Sequence, residues 1–275
     1  AVLLAAPGAG AGRPADATAL VLGEDGRLLQ RLELDGLELE RPMVQPLPDG
    51  EVVVVGARCR RFADGTAELN AQVHGPDGTQ RRAFTLGDGI RDVQATTVGQ
   101  LWVAYRDEGV DGSHGWGGPG GPEPIGSTGL VRFDLDGCRQ WAYRPPAGLD
   151  PIGDASAMNV ADEDVWLCCY PDFPLVRLPT AGPSQAWPTW LGGVRALAVD
   201  GGRVLLYGGY RDQANRCLLF DLDETTLANP RPGRLALPGG PPLRPGFLVG
   251  RGPSLHAIDA TGWYRLDLRQ IGAHP

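Results

Sequence analysis

The chain has 275 residues, 42% of them hydrophobic, with 41 glycines and 25 prolines, so turns are frequent, apolar residues suffice for a core, and disorder is excluded. All 25 basic residues are arginine and 33 acidic residues leave a net charge of -8, which argues against a nucleic-acid partner because phosphate binding needs a net basic face. The absence of lysine also removes Schiff-base chemistry and any phosphate-loop lysine.

The N-terminal piece reads as three strands, Val2 to Ala6, Thr18 to Leu22 and Leu28 to Leu34. Between the first two, Gly8-Ala-Gly-Ala-Gly12 has the composition of a phosphate loop, but a strand follows it where such a loop needs a helix. From Val44 onward a unit recurs: an apolar strand, a tight turn, a stronger apolar strand, a variable loop, then two more strands. Its first copy runs through Glu51-Val-Val-Val-Val-Gly56 and turns at Gly75-Pro-Asp-Gly78, where glycine accepts the positive φ of a hairpin. Further copies start at Val93, Ala155, Val194 and Phe247, and carry Gln100 to Tyr105, Val165 to Tyr170, Arg203 to Tyr207 and Ser254 to Ile258 as their second strands.

Four strands per unit is a propeller blade. Three opening strands, four full units and three closing strands predict an all-β propeller of about six four-stranded blades with incomplete terminal blades, as a single domain over residues 1–275. Five blades is the alternative. The start inside a hairpin leads us to expect native residues upstream of Ala1. No helical 3.6-residue period competes with the strands, and no stretch approaches the roughly 18 to 20 apolar residues of a membrane helix, so no membrane partner is expected. Cys59, Cys138, Cys168, Cys169 and Cys217 are odd in number and form no C-x-x-C pair. They read as buried thiols of a reducing, cytoplasmic protein in preference to disulfides or a zinc site.

Turns between first and second strands are tight, whereas the connections between second and third strands are long, notably 58–66, 106–128, 171–174 and 211–215. Variable loops on a rigid scaffold are where binding and catalysis reside. Three blades leave strand two as Tyr-x-Asp: Tyr105-Arg-Asp107, Tyr170-Pro-Asp172 and Tyr210-Arg-Asp212. Either each Asp caps its loop while each Tyr packs between blades, or the set forms a ring around a common pocket. The second blade has Arg58-Cys-Arg60-Arg61 at this place, cations that face the ring or pair with Asp107 or Glu108. The insertion 106–128 carries Asp107, Glu108, Asp111, His114 and Trp116, and reads as a lid, a partner-binding arm or a decoration.

For catalysis the candidates are Asp107 or Glu108 as base and His114 as acid, although neighbours on an extended chain point apart. Asp107, His114, Asp154 and Asp172 offer donors suited to calcium or magnesium, without a fixed ligand spacing. Cys168 and Cys169 read as inert core thiols, and Trp102, Trp141, Trp166, Trp187, Trp190 and Trp263 as core packing.

At Gly56-Ala-Arg-Cys-Arg60, Gly87-Asp-Gly-Ile90, Tyr105-Arg-Asp-Glu-Gly109 with Gly115-Trp116, and Tyr170-Pro-Asp-Phe-Pro174, the chain resembles a group of actinobacterial propeller proteins of undescribed activity. The resemblance spans blades two to six and implies the fold and a high-GC bacterial source. That group reads Asp-Cys-Tyr-Ala-Leu-Asn where this chain has Asp154-Ala-Ser-Ala-Met-Asn159. The chain is more distantly similar to calcium-dependent lactonases and related six-bladed hydrolases, whose metal is held by Glu, Asn and Asp. That similarity implies Asp154 and Asn159 as weak metal candidates, with no glutamate to match.

The leading expectation is a binding scaffold without a cofactor, holding a small molecule or a protein on the long-loop face through Arg58, Arg60, Tyr105, Asp107, Trp116, Asp154, Asn159, Tyr170, Asp172, Arg195 and Tyr210. The alternative is a hydrolase-like or secondary-metabolism enzyme using the mouth of the propeller, with calcium or magnesium as its metal where it uses one.

Overall fold

The computed structural model describes residues 1–5, 15–211, 215–237, 240, 241, 243, 246–259 and 261–271. Gly8 to Gly12, Asp212 and His274 lie outside the described residues. The backbone forms two compact units, one of residues 1–144 with 151–153 and the other of 145–150 with 154–275.

In the first unit, β1 (Val2–Ala5), β2 (Ala15–Leu22) and β3 (Leu28–Leu37) form a three-stranded sheet. Two four-stranded sheets follow: β4 (Met43–Pro46), β5 (Val52–Val55), β6 (Ala71–His74) and β7 (Gln80–Phe84), then β8 (Ile90–Ala95), β9 (Leu101–Tyr105), β10 (Leu130–Phe133) and β11 (Arg139–Ala142). A five-residue helix, α1 (Asp107–Asp111), opens the connection after β9.

The second unit repeats the plan. It contains β12 (Asp154–Ala161), β13 (Asp164–Tyr170), β14 (Leu175–Leu178) and β15 (Gln185–Trp187), then β16 (Val194–Asp200), β17 (Arg203–Gly208), β18 (Arg216–Leu222) and β19 (Leu227–Arg234). It closes on a three-stranded sheet of β20 (Phe247–Arg251), β21 (Ser254–Asp259) and β22 (Gly262–Asp267). Every sheet is an antiparallel meander in chain order, and six such blades define the fold class as a six-bladed β-propeller.

The continuous apolar runs of the inner strands follow from burial on both faces. In β5, Val52 and Val54 pack with Ala17, Ala19, Leu32 and Leu34, while Val53 and Val55 pack with Val73, Ile90, Val93 and Val103. Alternate side chains of one strand thus serve two cores, so a run of four valines replaces the alternation of a half-exposed strand. In the second unit Leu205 and Tyr207 enter one cluster with Ala196 and Ala198, and Val204 and Leu206 enter another with Leu197 and Val199.

Buried amides tie the strands together. Asn70 donates to Gly56 O and Gly87 O, both at 2.9 Å, and accepts from Leu86 N at 2.8 Å. Asn159 donates to Leu197 O at 2.7 Å and Gly252 O at 3.0 Å, and accepts from Gly252 N at 2.7 Å. Each amide satisfies backbone groups that water cannot reach.

The five thiols are all free. Four are buried, and burial pushes those of Cys59, Cys169 and Cys217 up to about 12. Cys138 departs from the expectation: it follows the turn at Asp134–Gly137, outside the apolar strand positions, and is exposed. No helix among the described residues is long and apolar enough to cross a membrane.

Candidate functional site

The three Tyr-x-Asp copies do not occupy equivalent positions. In β8, β12 and β16 the pairing register shifts by one residue, leaving Arg91, Ser156 and Arg195 as the extra residues. Just beyond this bulge Tyr105 faces Ile90, Cys169 faces Ala155 and Gly208 faces Val194, so these three residues are the true counterparts. Tyr170 lies one residue further along its strand and Tyr210 two residues beyond Gly208. A slip of one residue moves a side chain to the opposite face of a strand. Tyr105 is accordingly fully buried and donates from its hydroxyl to Leu86 O at 2.5 Å, and burial raises its pKa well above the usual tyrosine value. Tyr170 and Tyr210 are exposed.

The candidate residues therefore fall into two groups, one in each unit. In the first unit, Arg58 is the hub. Its side chain is 11% exposed and pairs at 3.1 Å with Asp88, whose side chain is 1% exposed. The same guanidinium contacts Glu108 Oε2 and His114 Nδ1, and donates to Ser113 Oγ at 3.1 Å. Asp88 Oδ2 also lies 3.2 Å from His114 Nδ1, and Asp88 Oδ1 accepts from Cys59 N at 2.8 Å. Trp116 Nε1 donates to Cys59 O at 2.9 Å, the Arg61 guanidinium lies over the Trp116 ring, and Arg61 N donates to His114 O at 2.8 Å.

The long connection thus folds back onto residues 58–61 and is held there. Its glycines make this possible where α1 meets the strand connection: a Cβ on Gly89 would stand 2.3 Å from Gly109 N, and one on Gly109 would stand 2.4 Å from Asp88 O. Asp107 is exposed and accepts from Glu108 N at 2.9 Å, a local turn contact. Arg60 is exposed, and its backbone N–H donates to Glu68 at 2.7 Å. The His114 side chain is exposed, with its Nδ1 turned toward Arg58, Ser113 and Asp88. Of the two adjacent carboxylates, Glu108 is engaged by Arg58 and Asp107 is turned to the backbone.

In the second unit, the connections 170–174, 188–193 and 208–211 come together. Thr189 Oγ1 donates to Phe173 O at 2.9 Å, and Gly209 N donates to Gly193 O at 2.9 Å. Phe173 stands edge-to-face between Tyr170 and Tyr210, with ring centroids 5.9 and 6.0 Å away and interplanar angles of 62° and 71°. Gly193, at φ +71°, lies under the Tyr210 ring, where an added Cβ would stand 3.0 Å from its carbons. Trp190, on the same connection, rests edge-on against Phe220, with the Arg216 guanidinium over its ring at 5.2 Å.

Tyr170, Trp190 and Tyr210 are 55%, 58% and 61% exposed. Asp172 and Phe173 hold left-handed backbone conformations, φ 62° and 50°, as does Arg211 at φ 54°. A bulky residue at such a φ is strained and persists only where its surroundings fix it. Arg195, the bulged residue of β16, lies over the Tyr207 ring at 5.2 Å and donates to Asn215 Oδ1 at 3.2 Å. Bulges turn side chains aside in this way.

Asp154 opens β12 opposite Tyr170. Asn159 is fully buried, with both ends of its amide engaged by backbone. No cluster of three or more His, Cys, Asp or Glu side chains able to hold a metal occurs among the described residues.

Sequence reasoning missed Asp88, Ser113, Phe173 and the role of Trp190. Trp190 had read as core packing. It lies beyond β15 in a connection between blades, so only one of its faces is covered.

No protein-family model matches the chain, and no curated protein matches it in sequence. Its backbone is similar to that of several solved structures at low identity. A presumed 6-phosphogluconolactonase from Bacteroides fragilis aligns with a TM-score of 0.49 and 14% identity, covering 96% of this chain and 76% of that one. A catalytically inactive virginiamycin B lyase from Staphylococcus aureus, solved with quinupristin, aligns with a TM-score of 0.47 and 10% identity over 99% and 90% of the two chains. AztD from Citrobacter koseri aligns with a TM-score of 0.44 and 12% identity over 94% and 67%. At these identities the likeness concerns the fold alone.

Proposed function

We propose that this propeller is a binding scaffold, and that its ligand-holding surface is the aromatic edge of the second unit formed by Tyr170, Phe173, Trp190 and Tyr210, with Asp172, Arg195 and Arg211 at its margin. The observation that carries the reading is the exposure of three large aromatic side chains on connections whose backbones are tied together. An exposed aromatic cluster has no role in folding comparable to its area, and Tyr, Trp and Arg are the residues that dominate binding energy where a ligand or partner covers them. The occupant is a small molecule or a segment of protein. Free, mostly buried thiols accord with a reducing compartment, and the proposal places the protein in the cytoplasm.

The test is a thermal-shift screen of the full chain against metabolites, metals and peptides, repeated on the double variant Tyr170→Ala/Tyr210→Ala. A ligand of the native state raises the melting temperature. The expected result is a hit whose shift disappears in the double variant, while the melting temperature of the unliganded variant falls by no more than that of an ordinary surface substitution, about 0.5 kcal/mol for each tyrosine. Hits that shift both proteins equally would place the site elsewhere.

A further inference from the structure

The third and fourth blades carry a matching row of side chains. In the fourth, the register sets Trp166 of β13 beside Arg177 of β14, and Arg177 beside Gln185 of β15. In the third, it sets Trp102 of β9 beside Arg132 of β10, and Arg132 beside Trp141 of β11. Cross-strand neighbours share a face, and in both blades the guanidinium lies over the indole ring at 5.5 Å.

The rows differ in what satisfies the arginine. Asp164, two residues before Trp166 and so on its face of the strand, accepts from Arg177 Nε at 2.9 Å and Nη2 at 2.7 Å, while Gln185 Oε1 accepts from Nη1 at 3.1 Å. In the third blade Gln100 stands two residues before Trp102, and Trp141 stands opposite the arginine, so this row has neither the carboxylate nor the facing amide oxygen. Arg132 Nε and Trp102 Nε1 are both buried without a hydrogen-bond partner, and Trp102 is only 6% exposed. Neither group can accept, and a buried donor left unpaired is costly, so both call for an acceptor from outside the row.

We propose that the third blade binds a carboxylate at Arg132 and Trp102, in the place that the Asp164 side chain fills in the fourth. The carboxylate accepts from the guanidinium and the indole N–H, and a charge-assisted bond of this kind is about twice as strong as one between neutral groups. Trp141 is half-buried and stands edge-on to Trp102, with ring centroids 5.3 Å apart, so it offers apolar surface to the body of the ligand. The site shares no residue with the aromatic edge and stands or falls independently of it.

The experiment is a titration of the full chain with sodium benzoate at constant ionic strength, followed by NMR through the indole N–H signals of its seven tryptophans, with the Trp102 signal assigned by Trp102→Phe. Benzamide serves as the neutral control, and the peptide acetyl-Gly-Asp-Gly-amide as a carboxylate carried by a protein side chain. The expected result is a saturable movement of the Trp102 signal with a Kd for benzoate below about 10 mM, and binding of benzamide at least about tenfold weaker. Gln100→Asp gives the third blade the carboxylate that the fourth already has, so it should raise the melting temperature and weaken benzoate at least about tenfold. Arg132→Met, its folding checked by melting temperature, should weaken benzoate to the same extent. Tighter binding of the peptide than of benzoate assigns the carboxylate to a protein partner, and the reverse assigns it to a free organic acid; the site stands in both cases. No saturable movement of the Trp102 signal with either carboxylate, equal responses to benzoate and benzamide, or undiminished benzoate binding in Gln100→Asp and Arg132→Met would overturn the proposal.

Discussion

The Arg58 cluster and the aromatic edge are both built around links between the second and third strands of a blade, joined in each case by a residue from a connection between blades, Asp88 or Trp190, yet they resolve them in opposite ways. Around Arg58 the chain folds back and uses up its polar groups on itself: Asp88, Glu108, Ser113 and His114 converge on one guanidinium, and Trp116 donates into the backbone below. Around Tyr210 the connections are short and strained, and their aromatic side chains are left outside. Charged residues in a variable loop thus mark a fastening where each finds a partner nearby, while large aromatic side chains left exposed are the feature on which the proposed ligand surface rests.

The sharpest way to break this contrast is Asp88→Ala. Removing the carboxylate leaves the nearly buried Arg58 without its buried anion and Cys59 N without its acceptor. Loss of one member of a buried pair costs about 3–5 kcal/mol, which at this chain length lowers the melting temperature by roughly 10 °C in calorimetry. Ligand binding at the aromatic edge should persist below the new melting temperature. A variant as stable as the wild type would mean that the Arg58 cluster fastens nothing, and its exposed His114 would then become the better candidate for function.

Gly193→Ala is the counterpart in the second unit. The residue holds φ +71° and lies against the Tyr210 ring, so alanine there combines a strained backbone with displacement of an exposed ring that is free to move away. The expected cost is about 1–2 kcal/mol, at the lower end of the range for strained residues, with a larger proportional loss of ligand affinity because Tyr210 no longer stands over its glycine. Loss of stability with affinity unchanged would separate Tyr210 from the site.

The blades were legible because each inner strand is a run of apolar residues between turn formers, and burial on two faces makes that run continuous. The Tyr-x-Asp triplet was legible as a pattern and misleading as a position. A single bulge residue in each of three blades sets which tyrosine points inward, and nothing in Tyr105-Arg-Asp107 or Tyr170-Pro-Asp172 announces where the bulge falls. Asp88 carried no signal as one acidic residue in a short connection, since its partner Arg58 lies 30 positions away in sequence. Phe173 and Trp190 fall outside the strand periods, and their exposure depends on how three separate connections meet.

A smaller effect sharpens the same comparison from within the second unit, which has an ion-paired carboxylate of its own. Asp267, at the end of β22, accepts from the Arg269 guanidinium at 2.6 Å and from Arg269 N at 2.9 Å, and lies 3.5 Å from Arg265. These contacts, the Arg269 hydrogen bond foremost, hold its carboxyl at about 2, below the usual 3.8. The folded protein binds this proton less readily than the unfolded chain, so the pair stabilises the fold above about pH 4, and that stability is lost as pH falls through about 2. Arg269 is half exposed, so after solvent screening the effect is about 1 kcal/mol. Melting curves of the wild type and Asp267→Asn at pH 5 and pH 2.5 should therefore differ most at the higher pH and converge at the lower. If they instead differ equally at both pH values, Asp267 acts through the cap it forms on the turn at Leu268–Gln270 and its charge is incidental, in contrast to the charge pairing expected to matter at Asp88.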